Sequence, residues 1–355
     1  MIRAGVVGAT GYAGAEMVRL IEGHPQMELT RVTSGKEAGR RMDDVYPGLI
    51  GTCDATLVEP DAADLAASCD VVFLAVPHTA SLAMTPQLVA AGVSVVDLSA
   101  DYRLADAATY ERWYNTPHTS PELLARAVYG IPEVNRDAVA ALHELPAGEP
   151  RIVANPGCYP TAATLAAAPL LRADLLASGA PVIVDAISGV TGAGKGCTSR
   201  THFCSADESV QAYGVGCHRH QPEIAQNLSR LAGFDVSVVF TPHLGPYKRG
   251  ILATVYLPLA HEVGTAELQD IYERVYARER FVSVLPAGRQ PATASVEGSE
   301  RVQMAVVVDE RARMAIVTCA IDNLVRGAAG QALQNANLLC GLPEESGLVA
   351  PVPLV

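Results

Sequence analysis

The run Ala154-Asn-Pro-Gly-Cys158-Tyr-Pro-Thr161 sets a cysteine in a loop that core packing alone would not shape this way. Pro156 pushes Asn155 out of the α region, Gly157 permits an unusual turn, and Pro160 suits a first helical position. The segment follows a short strand-like run, Arg151-Ile-Val-Ala154, and precedes an Ala- and Leu-rich helix predicted over 162–171. Cys158 is therefore expected at or beside a helix N-terminus. Unpaired N–H groups and the helix dipole there favour the thiolate, which is the nucleophilic form. The competing reading is a buried structural thiol, the commoner fate of a cysteine.

A second constellation is Gly214-Val-Gly-Cys-His218-Arg-His220-Gln-Pro-Glu-Ile224. In an extended segment His218 and His220 share one face, and an amphipathic helix is predicted over 222–231. Histidine titrates near neutrality, so either ring can hold or pass a proton beside a thiolate. Zinc is the rival use of this region, because Cys197, His202, Cys204, Cys217, His218 and His220 fall within 24 residues. Their order lacks the paired C-x2-C or H-x3-H grip of structural sites, so no metal is expected.

The third constellation, Gly8-Ala-Thr-Gly11-Tyr-Ala-Gly14, sits where a strand hands over to a helix. Glycines there let backbone approach a pyrophosphate, and the helix start favours its charge. Gly8, Thr10, Gly11, Tyr12, Ala13 and Gly14 are the candidate contacts; a tight turn without ligand is the alternative. After the second strand the chain reads Thr33-Ser-Gly-Lys-Glu-Ala-Gly-Arg-Arg41, not the acidic residue that would suit NAD. Ser34, Lys36 and Arg40 suit the 2′-phosphate of NADP(H), with Glu37 an awkward neighbour. Pro77, just after the third apolar strand, lies at a strand end where nucleotides bind.

These segments need elements to hold them. Runs at 2–8, 29–33, 71–76 and 93–98 read as strands, with helices at 12–22 and 81–91 between them. That alternation predicts an α/β domain with a Rossmann-type parallel sheet over 1–150. Beyond it, strand-like runs at 181–187, 236–240, 251–257, 302–308 and 314–319 predict an α+β domain over 151–325. Its sheet is expected to be mainly antiparallel or mixed, with a hairpin joining the last two runs. A last helix is expected from about residue 328 to 339.

Composition narrows the class. Hydrophobic residues make up 49% and charged residues 18%, ordinary for a soluble enzyme. A formal charge of -12 argues against a nucleic-acid partner. The apolar run at 70–76 is too short to span a bilayer, and the first residues enter a strand without the build of a signal peptide. Eight scattered cysteines read as reduced thiols, so cytoplasm is the expected compartment.

The motifs taken in order resemble the N-acetyl-γ-glutamyl-phosphate reductase family, the arginine-pathway branch of the aspartate-semialdehyde dehydrogenase-like reductases. Besides the three segments above, the likeness rests on Asp97-Leu-Ser-Ala-Asp-Tyr-Arg103, Tyr129-Gly-Ile-Pro-Glu133, Ser188-Gly-Val-Thr-Gly-Ala-Gly-Lys195, Thr241-Pro-His-Leu244 and Asp322-Asn-Leu-Val-Arg-Gly-Ala-Ala-Gly330. It implies an NADP-binding domain, a catalytic and dimerisation domain, a C-terminal helix (326–355) returning to the first, and a homodimer or homotetramer. It implies Cys158 as nucleophile of an acyl-phosphate substrate, passing through a thioester, with His220 favoured over His218 as the proton carrier. Arg103 is the candidate for the substrate phosphate. Lys195, Arg200 and Arg249 are weaker candidates for its anionic groups, with Asn155 and Glu223 also on the substrate side. Ser188, Gly189 and Asn323 are expected to line the nicotinamide. Lys195 stands where many relatives carry arginine, which keeps charge but not bidentate anion binding.

Overall fold

A computed structural model describes residues 1–349, so the end of the expected 326–355 helix lies outside the described residues. The chain divides into two compact units, Met1–Pro156 with the residues from Ala328, and Gly157–Gly327.

In the first unit six strands form one parallel sheet: β1 Ile2–Val7, β2 Met27–Thr33, β3 Val71–Leu74, β4 Ser94–Asp97, β5 Val128–Tyr129 and β6 Ile152–Ala154. Their order is β2-β1-β3-β4-β6-β5. The order reverses between β1 and β3, which puts a topological switch point beside the glycine loop. β3 is buried at every residue, as a strand covered on both faces must be. The helices are α1 Tyr12–Glu22, α2 Met42–Val45, α3 Ala62–Ser68, α4 Ala80–Ala90, α5 Ala107–Tyr114, α6 Pro121–Leu124 and α7 Pro132–Ala141. On α1 the residues Met17, Val18, Leu20 and Ile21 are buried, the apolar stripe that its spacing requires.

The second unit carries a seven-stranded mixed sheet: β7 Val182–Gly189, β8 Gln211–Ala212, β9 Val238–Gly245, β10 Ile251–Pro258, β11 Val282–Val284, β12 Val302–Asp309 and β13 Met314–Ile321. The order is β11-β12-β13-β10-β7-β9-β8. β12 and β13 form the expected hairpin, in register from Val302 opposite Ile321 to Asp309 opposite Met314. β7 and β9 pair in parallel, which makes the sheet mixed. The helices are α8 Cys158–Arg172, α9 Phe203–Ala206, α10 His220–Ala232 and α11 Thr265–Tyr276. α8 packs across β10 and β13, flanked by α10 and α11.

α8 shows how tertiary contacts complete a helix. Pro169 cannot donate to the carbonyl of Leu165, its i−4 partner. The Tyr276 hydroxyl fills that vacancy at 2.5 Å, and Tyr272 donates to the neighbouring Ala166 carbonyl at 2.6 Å. The last helix, α12 Gly330–Leu339, follows a π-turn at Val325–Ala329. It packs on α7, α1 and β4 of the first unit.

Several boundaries differ from expectation. α8 begins at Cys158 rather than 162, so Pro160 occupies its third position rather than its first. α10 begins at His220 rather than 222, and His218 lies in a turn rather than an extended run. β9 continues through Pro242 to Gly245, five residues beyond the predicted end.

Candidate active site

In the first unit β1 is followed directly by Gly8, whose φ is +80°. A Cβ there would stand 2.3 Å from the Ala75 carbonyl oxygen, so the loop lies hard against the end of β3. A Cβ on Gly14 would stand 2.2 Å from the Gly8 carbonyl oxygen, so α1 starts tight on the same loop. Gly11 is the N-cap of α1 and no side chain caps it. The glycine cradle and uncapped helix start thus fit a dinucleotide pyrophosphate. Thr10 and Ser34 join hydroxyls at 3.0 Å at the end of β2, and Tyr46 donates to the Thr10 carbonyl. Lys36 is exposed. Arg40 is paired with Glu37 at 2.6 Å, so the awkward neighbour holds one of the two candidate cations. Tyr12 and Ala13 open α1, and Pro77 is exposed beyond β3.

Arg103 donates its Nε to the Asn155 carbonyl at 2.8 Å and an Nη to the Leu98 carbonyl at 2.7 Å. Asn155 is fully buried. Its amide donates to the Ala328 carbonyl at 3.1 Å, and its side-chain oxygen accepts from Asn335 at 3.0 Å. A substrate contact by Asn155 through its side chain is thus opposed by burial; the group ties β6 to the α12 segment.

In the second unit Cys158 is the first residue of α8, after the N-cap Gly157, and it is half-buried. Glu223, in the first turn of α10, accepts the Gly157 N–H at 2.9 Å. It is 1% exposed, so its carboxylate is turned to the cysteine loop rather than to solvent. A Cβ on Gly157 would stand 2.5 Å from His220 Nε2, which shows how closely that ring covers the residue before Cys158. On the other side a Cβ on Gly327 would stand 2.6 Å from Cys158 Cβ.

His218 and His220 have ring centroids 4.9 Å apart, and both stand 5.9 Å from the Tyr159 ring. A turn, not a strand, brings them together. His218 Nδ1 accepts the His220 backbone N–H at 3.1 Å, so the neutral His218 ring carries its proton on Nε2. Burial, with the Arg219 charge second, pushes His218 down to about 4. At neutral pH His218 is therefore an uncharged ring that holds the start of α10.

Tyr213 and Tyr159 have no counterpart among the predicted residues. The Tyr213 hydroxyl donates to that of Tyr159 at 3.1 Å, and Tyr159 donates to the His243 carbonyl. Burial first, with the Cys158 charge adding, pushes Tyr213 up to about 12. Arg200 lies over the Tyr213 ring at 5.6 Å, so this candidate is joined to the cluster, while Lys195 is exposed on the same loop. Arg249 makes a two-point ion pair with the buried Asp322 at 2.9 and 3.1 Å, which commits it to the protein. Asn323 accepts the Gly250 N–H at 2.7 Å and donates to Thr191 at 3.0 Å. Ser188 bonds the Gly189 carbonyl at 3.0 Å, and a Cβ on Gly192 would meet both Ser188 and Asn323. Those three candidates therefore gather at the ends of β7 and β10. Among the described residues no three His, Cys, Asp or Glu side chains are grouped to hold a metal ion.

Two family profiles cover the chain: "Semialdehyde dehydrogenase, NAD binding domain" over residues 3–142, and "Semialdehyde dehydrogenase, dimerisation domain" over 158–323. An N-acetyl-gamma-glutamyl-phosphate reductase of Laribacter hongkongensis is 50% identical over 355 residues, the full length of both chains. One of Desulforamulus reducens is 49% identical over 98% of each. The chain belongs to the N-acetyl-gamma-glutamyl-phosphate reductase family. Members of this family share the semialdehyde dehydrogenase fold, and solved structures agree. Aspartate semialdehyde dehydrogenase II of Vibrio cholerae, complexed with ASA, superposes with a TM-score of 0.72 at 16% identity. It covers 96% of this chain and 98% of its own. The aspartate semialdehyde dehydrogenase of Candida albicans, solved with NADP, gives 0.71 at 16% identity over 96% of this chain and 98% of its own. Membership makes the chain a nicotinamide-nucleotide-dependent oxidoreductase.

Proposed function

We propose that the chain reduces N-acetyl-γ-glutamyl phosphate to N-acetylglutamate 5-semialdehyde with NADPH, through a thioester on Cys158, in arginine biosynthesis. The observation that carries the chemistry is Cys158 at the first position of α8 with the His220 ring against the preceding residue. Bare amides at a helix start stabilise a thiolate.

The Cys158 thiolate attacks the acyl carbon; the carbon–oxygen bond to phosphate breaks and inorganic phosphate leaves. The acyl group remains as a thioester, dividing one hard step into two. The 8–14 cradle, with Thr10, Ser34 and Lys36 suited to a 2′-phosphate, would hold NADPH, which when bound would supply the hydride to the acyl carbon. The carbon–sulfur bond then breaks, releasing the aldehyde and returning the Cys158 thiolate. His220 takes and returns the proton at the substrate oxygen and sulfur. His218 is unsuited to that task, because burial keeps it neutral and its Nδ1 is engaged. Arg103 and, in the second unit, Arg200 and Lys195 remain the candidates for substrate anions. Ser188, Gly189 and Asn323 remain the candidates for the nicotinamide. Glu223 positions the Gly157 amide.

The protein acts as a homodimer or homotetramer. Support comes from the face of the second sheet opposite α8, α10 and α11, where Ile183, Ile187, Leu252, Tyr256 and Ile316 are only half-buried and Val307 is exposed. A cytoplasmic site is supported by eight unbridged cysteines. No helix among the described residues is long and apolar enough to cross a membrane.

The test runs the reaction backwards, with N-acetylglutamate semialdehyde, phosphate and NADP, following NADPH absorbance beside Cys158→Ser. Phosphate-dependent NADPH formation that disappears in Cys158→Ser is expected. Turnover only with aspartate or aminoadipate semialdehyde would overturn the substrate; activity surviving in Cys158→Ser would overturn the thioester.

A further inference from the structure

Two carboxyl groups in the first unit have no part in the reading above. Asp97 ends β4 and Asp101 follows four residues later; both are fully buried. Two buried serines stand between them. Ser99 Oγ is 2.8 Å from Asp97 Oδ2, Ser81 Oγ is 2.9 Å from Ser99 Oγ, and Ser81 Oγ is 2.8 Å from Asp101 Oδ2. A fourth contact, Ser81 Oγ to Asp97 Oδ2, is longer at 3.1 Å. If both carboxyls are ionised, the two hydroxyl hydrogens must serve all four contacts. One added proton on Asp97 Oδ2 completes a chain from Asp97 to Ser99, Ser99 to Ser81, and Ser81 to Asp101. It places a hydrogen in each of the three shorter contacts and leaves only the longest without one. The same chain runs in reverse with the proton on Asp101. Ser99 still has a lone pair for the Asp101 N–H, which it accepts at 3.1 Å.

The far oxygen of Asp101 is spent on the nucleotide edge. Asp101 Oδ1 accepts the Thr79 N–H at 2.8 Å and the Tyr110 hydroxyl at 2.7 Å. Thr79 has a φ of +75°, a conformation that a β-branched residue adopts only when its surroundings impose it. It occupies the N-cap position of α4 without a side-chain capping bond, in the 77–80 turn a few residues past Ala75, against which the Gly8 loop is pressed.

We propose that Asp97 and Asp101 share one proton through Ser99 and Ser81, and that this pair positions the 77–80 turn for the nucleotide. The proposal rests on the reading of the 8–14 cradle as the NADPH site. Burial first, then the Asp101 carboxylate, push the Asp97 carboxyl up to about 6. Arg103 opposes that rise. The other titratable groups facing the pair are Tyr110 of α5, Tyr102, and His118, whose Nε2 lies 2.8 Å from the Asp101 carbonyl oxygen. Once the proton is lost, two buried negative charges face each other across Ser81, and the Thr79 N–H loses its fixed acceptor.

Asp97→Asn puts an amide N–H where the shared proton stood, and Asp101→Asn allows the reversed chain. The double variant Asp97→Asn/Asp101→Asn has donors at both ends and cannot complete it. NADPH affinity is measured by fluorescence titration from pH 5 to 8 on wild type and the three variants. The ratio of wild-type to Asp97→Asn Kd cancels every titration the two proteins share, and that of the ligand's own phosphate. That ratio is expected to rise with pH, by about tenfold for each unit by which binding shifts the pair's titration. Both single variants should bind NADPH, and the double variant should lose affinity by more than the single changes combined. A flat ratio, or a double variant that binds like either single one, overturns the positioning role. The proton itself is read without nucleotide, by NMR of aspartate carboxyl carbons: one group titrating near pH 6 that vanishes in Asp97→Asn supports sharing, and its absence overturns it. Failure to bind NADPH at any pH, with that NMR signal present, would overturn the nucleotide reading and with it the positioning role, but not the shared proton.

Discussion

Gly157→Ala isolates the placement of His220. Gly157 has φ −70° and ψ 154°, backbone that any residue adopts, so the change introduces no backbone strain. Its whole effect passes through the new methyl group, which would stand 2.5 Å from His220 Nε2 and 2.8 Å from Cε1. Ordinary contact begins near 3.4 Å, so the ring must retreat by about 1 Å. A misplacement of about 1 Å costs on the order of 10²-fold in rate, or about 2.7 kcal/mol of barrier. The ceiling is the loss from removing the ring altogether, about 10²- to 10⁴-fold for a general acid–base group. Overpacking should lower stability by about 1–3 kcal/mol, which a thermal melt separates from the catalytic loss. The assay is kcat in the NADPH-forming direction for Gly157→Ala, His220→Ala and the double variant. With the imidazole gone the methyl has room, so Gly157→Ala should add less than about twofold to the loss in His220→Ala. Wild-type kcat in folded Gly157→Ala, or losses that multiply in the double variant, would refute the placement of His220 beside the nucleophile.

Two further outcomes follow from single contacts. A Cβ on Gly14 would meet the Gly8 oxygen at 2.2 Å and the Ala9 Cα at 2.9 Å, both backbone atoms that cannot swing aside. Gly14→Ala should therefore raise the Kd for NADPH by about tenfold or more while leaving alkylation of Cys158 by iodoacetamide unchanged; equal affinity would remove the cradle from the nucleotide site. Burial, with the Arg219 charge second, pushes His218 down from its ordinary 6.5 to about 4. The unfolded chain thus binds the extra proton first, so stability contributed by His218 is full above about 6.5 and falls as pH drops toward 4, by at most on the order of 3 kcal/mol. Asp97 acts with the opposite sign in an overlapping window, because its raised value makes stability fall as pH rises through about 6. Urea midpoints between pH 4.5 and 7 are therefore compared in the Asp97→Asn background, where His218→Gln should flatten the slope and an unchanged slope would refute the assignment.

What the sequence revealed and what it hid divide along the range of the interactions. The glycine loop and the cysteine segment were legible because each is local: residue types at short spacing impose a turn or a helix start, whereas the histidine pair meets across a turn and not on the shared strand face expected of it. The same locality misplaced their edges. α8 starts four residues early because its loop is tied by Glu223, 66 positions away, and no nearby side chain caps it. Pro242 reads as a strand breaker, yet β9 runs through it, paired with β7 in parallel and with β8 on its outer side. β8 and β11 are two and three residues long, too short to show alternation. Charged residues were misjudged for the same reason. Arg249 and Glu223 have the chemistry of substrate ligands, but Asp322 and the Gly157 amide, both distant in sequence, claim them. The Asp97–Asp101 pair sits inside a quoted motif, but its meaning depends on Ser81, contributed by a helix 16 and 20 positions away. A motif therefore names which groups are present, while the partners that neutralise, orient or protonate them enter only when the chain folds. That is why the placement of Cys158 at a helix start could be read from sequence and the partners of the buried carboxyls could not.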